Sequence, residues 1–321
     1  MNDIKERIQN LKPNLKENSL NLYLRNLKLA WRAIFHMPND KYPENINFLN
    51  DHKKVLNYIH TMKITTKKNY LTSFIVVIQA FKKKDLYDIY KPELDNVVKL
   101  YNQHLESQNK TPKEKKNWAN MITLHNIVDG YKQQLQDKGI FTLDKKVLSN
   151  KEFFLLQRYV VGMLYTGSPN NPPIRNNYAD MNIIKKKMFD KLTSEQQTLV
   201  NYLVITGKNK KHFHFNVYKT LHSYGSKIIA VDPKINKVLN IWLHYNKSPY
   251  LLLNMKREPL SKNGLTKFVN KLFNHDGKTI GTTMLRHIFI SELFPADKTK
   301  KKEIAGLMSH SVDMQSEYAK V

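Results

Sequence analysis

Cysteine is absent from the 321-residue chain. That excludes disulfides, thiolate nucleophiles and cysteine-rich zinc sites together, and it suits a reducing intracellular setting. No run approaches the roughly 18 apolar residues that a membrane-spanning helix needs. The opening stretch, MNDIKERIQNLKPNLKEN, is polar and charged, without the apolar core of a signal peptide. These absences lead us to expect a soluble, intracellular protein. Acidic residues are also scarce, 27 against 53 Lys and Arg, which leaves a formal charge of +26. Such an excess calls for a polyanionic partner. Nucleic acid is the natural candidate, because each phosphate neutralised by Lys or Arg releases condensed counterions. The abundance of Lys, Asn and Ile is also what an AT-rich genome would favour. Arginine is rare: 46 residues are Lys and only seven are Arg, namely Arg7, Arg25, Arg32, Arg158, Arg175, Arg257 and Arg286. An arginine kept against that bias is wanted for its planar fork, which grips phosphate or carboxylate with two parallel bonds.

With hydrophobic residues at 41% and aromatics at 11%, the chain can build ordinary cores. Its first third reads as helices. Ser19 is placed to cap one whose apolar positions Leu20, Tyr23, Leu24, Leu27, Trp31 and Ile34 recur at helical spacing. Two prolines break it in FHMPNDKYPENIN. Further helices are predicted over about 48–60, 65–81 and 94–107, the third of the series carrying a Tyr70, Phe74, Val77, Ile78, Phe81 stripe that reads as core. The charged, apolar-free run ESQNKTPKEKK (106–116) marks a boundary, dividing a helical domain over 1–110 from a second domain over 111–321. The second domain opens with a helix through Trp118, Ile122, Leu124 and Ile127, and another spans about 150–165. Three short strands follow at YLVIT (202–206), HFHFNVYKT (212–220) and SKIIAVD (226–232), with GKNKK and LHSYG as turns. From Lys234 the pattern is helical to the end. The fold class expected is mostly α (α+β), with a small antiparallel sheet inside the second domain.

The C-terminal stretch places Arg286-His287 inside the predicted helix GTTMLRHIFISELF, then Met308-Ser309-His310-Ser311, then Tyr318. Upstream stand PPIRNNYADM, with Arg175, and KEKKNWAN. Taken in order, these segments resemble the signature of the tyrosine recombinases, or phage-type integrases, most closely as found in large DNA viruses, virophages and related mobile elements. The resemblance covers about 111–321. Residues 1–110 match only in helical character, as a core-binding DNA-binding domain would.

That resemblance implies a site-specific recombinase that cuts and rejoins DNA through a 3′-phosphotyrosine intermediate. It assigns Arg175 and Arg286 as the two phosphate-clamping arginines, His310 as the downstream histidine, Lys219 as the hairpin lysine and Tyr318 as the nucleophile. Lys208, Lys210 and Lys211 in the neighbouring turn are rivals for the lysine role. The residue types suit the chemistry. Phenolate attack on a phosphodiester builds negative charge on the non-bridging oxygens, which two guanidiniums and an imidazole can stabilise. A tyrosine, with a free pKa of about 10, must lose its proton as it attacks, and an ammonium can protonate the departing 5′-hydroxyl. The energy of the broken bond is stored in the ester, so neither cofactor nor metal is expected. The alternating His212 and His214 have no acidic or Cys partner nearby and are not read as a metal site. The partners implied are double-stranded DNA, gripped by a clamp of the two domains, and further copies of the chain in a homotetramer on paired sites. A viral origin would place it in the host nucleus or a viral factory. Three departures stand against the family pattern: Thr283 where His is usual, Asn177 where Asp is frequent, with Asp180 as a substitute, and only eight residues from His310 to Tyr318. His287 is read as structural. Two alternatives use the same residues, a type IB topoisomerase and a catalytically inactive DNA-binding relative.

Overall fold

The apolar stripes of the first third fold into helices in the computed structural model, which describes residues 1–168, 170–293 and 298–320. The chain divides into two units, Met1–Ser107 and Gln108–Val321. In the first unit, α1 (Asn2–Leu11), α2 (Glu17–Phe35), α3 (His52–His60), α4 (Ile64–Ala80) and α5 (Lys84–Glu106) enclose one core. Phe74 sits at its centre with Phe48, Tyr70 and Tyr90 edge-on, ring centroids 6.0 to 6.5 Å away. Helix α5 begins ten residues before its predicted start and runs through Pro92, which supplies no backbone donor. Leu86 and Tyr90 hold the turns ahead of the proline in the core, and the Tyr90 hydroxyl donates to Leu49 O at 2.9 Å. Helix α1 carries Ile4 and Ile8 into the same core and is an addition to the predicted set.

The second unit opens with α6 (Pro112–Asn117), fixed by a reciprocal cap between Thr111 and Glu114. Next come α7 (Met121–Asp137) and α8 (Asn150–Thr166). Helix α8 is buried nearly all round and forms the spine of the core. After β1 (Asn182–Lys185) the short helices α9 (Lys186–Phe189) and α10 (Ser194–Thr198) lead to β2 (Tyr202–Gly207) and β3 (Lys210–Phe215). Helix α11 (Leu221–Tyr224) then precedes β4 (Lys227–Ala230). Five helices complete the unit: α12 (Pro233–Tyr245), α13 (Lys262–Leu272), α14 (Thr282–Leu293), α15 (Lys298–Met308) and α16 (Val312–Tyr318).

The mostly helical α+β class holds, but the sheet is mixed rather than purely antiparallel. Its order is β1-β2-β3-β4, with β1 parallel to β2 and the other pairs antiparallel. Strand β1 is a four-residue edge, too short to show a sequence period. Strand β3 ends at Phe215, five residues before its predicted end, for a local reason. The Asn201 side-chain oxygen takes the N–H groups of both Asn216 and Val217 at 2.8 Å, which turns the chain out of the ladder. Within β3 the pleat buries Lys211, Phe213 and Phe215 on one face and leaves His212 and His214 half-buried on the other. Lys211 is accommodated inside because its Nζ donates to Lys208 O, Asn236 Oδ1 and Asn240 Oδ1 at 2.8, 2.7 and 2.5 Å.

Candidate active site

Arg175 lies at the end of a buried Pro172-Pro173-Ile174 segment and starts a single 3₁₀ turn over Asn176–Tyr178. Its backbone is held on two sides, since its carbonyl accepts from the Tyr165 hydroxyl at 3.0 Å and from Asn177 N at 2.8 Å. Asn201 ties this loop to the end of β3, its side-chain amide donating to Asn177 O at 2.9 Å. Arg286 is on α14, whose Leu285, Ile288, Phe289 and Ile290 are all buried. An arginine on a helix buried on most sides has nowhere to snorkel, and Arg286 is 0% exposed.

The SHS turn joins α15 to α16. Ser309 adopts a left-handed backbone (φ 58°), with its N–H on Gly306 O and that of His310 on Ala305 O, which closes α15. The Ser311 hydroxyl accepts from Met314 N at 3.1 Å and so caps α16. Between these two devices His310 points inward and is 3% exposed. Tyr318 is the last residue of α16, 7% exposed.

These four side chains meet. Arg286 Nη1 donates to the Tyr318 hydroxyl oxygen at 2.6 Å, and Arg175 Nη2 reaches the same oxygen at 3.3 Å. Arg286 Nη2 donates to His310 Nδ1 at 2.6 Å. The rings of His310 and Tyr318 stack with centroids 5.2 Å apart, and the Arg286 guanidinium lies 4.2 Å from the Tyr318 centroid. Burial lowers the pKa of Arg286 to about 10, opposed by Tyr318, while the neighbouring positive charge of Arg175 adds to the lowering. His310 is driven down to about 3, first by burial and then by the Arg286 charge, so it is neutral at pH 7. No carboxylate pairs with Arg286 among the described residues, and its Nε has no hydrogen-bond partner there.

Lys219 is placed differently from the other four. It is exposed in the turn after β3, and no contact joins it to Arg175, Arg286, His310 or Tyr318 among the described residues. It does flank the site, because the hydroxyl of the adjacent Thr220 donates to Ser309 O at 2.8 Å. Of the rival lysines, Lys211 is buried in its amide cage and Lys208 lies on the β2–β3 turn, where its carbonyl accepts from Lys211 Nζ and Asn236 Nδ2. Lys227, which the sequence did not single out, donates from Nζ to Gly306 O and contributes to the depressed pKa of His310. Thr283 is exposed one turn before Arg286. Asp180 is exposed too, and its N–H is bound to Leu260 O.

His287, read from sequence as structural, reaches the nucleophile candidate directly. Its Nδ1 contacts Tyr318 O at 3.0 Å, its ring lies 4.7 Å from the Tyr318 ring, and Nε2 is 3.6 Å from Glu114 Oε1. Burial lowers its pKa, against the raising effects of the Tyr318 carbonyl and Glu114. A sequence signal that could have drawn attention to His287 is its i, i+4 relation to Thr283, the position where the resemblance expects a His. Among the described residues no group of three His, Cys, Asp or Glu side chains is gathered to hold a metal. No helix among them is long and apolar enough to cross a membrane.

No protein-family model and no curated protein matches the chain. Among solved structures it is similar to the XerA recombinase over 100% of its own length and 94% of that chain, at 10% identity and a TM-score of 0.39.

Proposed function

We propose that this protein is a DNA strand transferase of the tyrosine recombinase type, in which Tyr318 forms a 3′-phosphotyrosine link. One observation carries the proposal: a guanidinium at 0% exposure, with no carboxylate partner among the described residues, bonded to a tyrosine hydroxyl and a neutral histidine. A buried cation without a counter-ion is costly to keep. The cost is offset when an anion enters, and the +26 charge of the chain favours a polyanion.

In the proposed reaction the scissile phosphate sits between Arg175, Arg286 and His310, which donate to its non-bridging oxygens as they gain charge. Arg286 Nη1 already reaches the Tyr318 oxygen, so nucleophile and clamp are held in one geometry. As Tyr318 attacks phosphorus its phenolic proton is released to water, the Tyr318 O–P bond forms and the P–O5′ bond breaks. Lys219, on the turn beside Ser309, gives its proton to the leaving 5′-oxygen. The helical unit Met1–Ser107 serves in this reading as a second grip on the duplex, and recombination between two sites engages further copies of the chain. Thr283 can donate one hydroxyl to phosphate but cannot exchange a proton as an imidazole can.

The test is covalent capture. Wild type and Tyr318→Phe are incubated with nicked duplexes of varied, AT-rich sequence in EDTA and resolved on a denaturing gel. A protein–DNA band in wild type alone is the expected result. A band that persists in Tyr318→Phe, or none from wild type that has bound the DNA tightly, overturns the assignment.

A further inference from the structure

Gln315 is 1% exposed, and neither Oε1 nor Nε2 of its side chain has a hydrogen-bond partner among the described residues. Leaving a buried amide unpaired is unfavourable, and native structures rarely tolerate it without a use. Gln315 stands three residues before Tyr318 on α16, on the same helix face. The other orphaned atoms close to Tyr318 are Arg286 Nε and His310 Nε2.

The tautomer of His310 shows what Gln315 faces. Arg286 Nη2 is 2.6 Å from His310 Nδ1, and a guanidinium only donates. Nδ1 therefore carries the lone pair and the ring proton is on Nε2. A buried N–H without an acceptor and a buried amide without a partner lie together in the same site. Arg286, Arg175 and Lys227 all act against a positive charge on the ring, and the Gln315 side chain is close enough to act in its favour.

We propose that Gln315 is a positioning residue for His310: a small rotation of its side chain brings the amide oxygen onto the unpartnered Nε2–H of the DNA-free protein and fixes the ring rotation from which that proton passes to a phosphate oxygen. The role rests on the strand-transfer reading above. It adds that the histidine is aimed by a neutral amide on the nucleophile's own helix, so that α16 delivers Tyr318 and orients His310 together. A neutral partner matters here, because a carboxylate at this place would hold the ring protonated and would repel the incoming phosphate.

The experiment uses the full chain with Gln315→Met, which keeps the volume without the amide, and Gln315→Glu, which keeps the shape and adds a titratable charge. Two readouts are taken: the single-turnover rate of adduct formation against pH, and the ¹⁵N signals of His310 in DNA-free protein. Gln315→Met should form adduct about tenfold more slowly, the worth of one hydrogen bond, with DNA affinity and melting temperature unchanged. Its Nε2–H should exchange faster with water than in wild type. Gln315→Glu should move the His310 titration into the range from pH 5 to 8. It should also approach the wild-type rate only at the acid end, where the new carboxyl is protonated. A Gln315→Met variant with wild-type rate and wild-type exchange overturns the proposal. So does one whose rate loss is matched by a fall in melting temperature, since that is simple packing. The spectroscopic arm needs no cleavage: a wild type that makes no adduct refutes strand transfer, whereas an unaltered His310 spectrum in both variants refutes the role of Gln315.

Discussion

Replacing Arg286 with methionine should leave the protein about as stable as it is now while removing its capacity to hold an anion. Burial moves the guanidinium from 12.5 to about 10, which at ~1.4 kcal/mol for each tenfold change means that keeping it charged costs about 3 kcal/mol. Methionine removes that cost and fills most of the volume. Against it stand two buried acceptors stranded without that donor, the Tyr318 hydroxyl and His310 Nδ1, at about 1.5 kcal/mol each for a polar group left unpaired. The two sides nearly cancel, so the change should lie within about 1 kcal/mol of zero, or about 3 °C in melting temperature. An arginine paired with a buried carboxylate would behave otherwise, costing about 3–5 kcal/mol when the pair is broken. The assay is thermal melting with and without sulfate as a phosphate surrogate. At ten times its Kd, sulfate should stabilise wild type by about 1.4 kcal/mol and Arg286→Met not at all. A melting temperature lowered by more than about 8 °C would show that Arg286 is a structural keystone. Equal stabilisation of both proteins by sulfate would show that the anion binds elsewhere.

The remaining expectations concern its neighbours. Arg175→Lys keeps the charge but loses the planar fork, and adduct formation should fall at least tenfold; a wild-type rate would remove Arg175 from the clamp. The pKa of His310 is depressed from 6.5 to about 3, so its contribution to stability is complete above pH 6.5 and is lost as pH falls from there towards 3. The amount is on the order of 5 kcal/mol, and His310→Gln should flatten the acid limb of a denaturation series by a comparable amount. His287→Ala removes the bond to Tyr318 O and the ring packed on the phenol. Amide exchange in 312–320 should quicken about tenfold while α8 is unaffected, and equal protection in the two proteins would refute the contact. DNA affinity should drop a thousandfold or more between 50 and 200 mM salt if some six phosphates are held, and a flat dependence would dismiss the phosphate-contact picture.

Legible in the sequence is whatever local chemistry repeats or stands out. Stripes such as Tyr70, Phe74, Val77 and Ile78 repeat at the helical period and fold as helix. The arginines stood out by their scarcity. Arg7 pairs with Asp3, Arg32 binds Lys41 O, and Arg257 binds Asn150 and covers the Phe153 ring. Those three each have a separate partner, whereas Arg175 and Arg286 converge on one tyrosine oxygen. Ser311 is of a type that caps helices, whereas a serine does not announce the left-handed backbone found at Ser309.

What escaped was set by pairings distant in sequence. Strand β1 exists because Asn182–Lys185 pair with β2, twenty residues on, and Ile183 N bonds to Pro249 O, and four residues carry no period that announces this. The end of β3 was misplaced because Val217, Tyr218 and Thr220 have the composition of a strand. One Asn201 oxygen outbids the ladder for two consecutive N–H groups, and it places Lys219 in a turn. The same asparagine holds Asn177 O on the Arg175 loop. A single buried amide thus sets the spacing between the segment of the first arginine and the turn that carries the candidate general acid. Neither Asn201 nor Gln315 belongs to any motif in the chain, and both owe their importance to burial, which makes an amide's hydrogen bonds expensive to leave unmade. In this protein the residues proposed to do the chemistry are charged or aromatic and visible in the sequence, while those that aim them are neutral amides, visible only once the chain has closed around them.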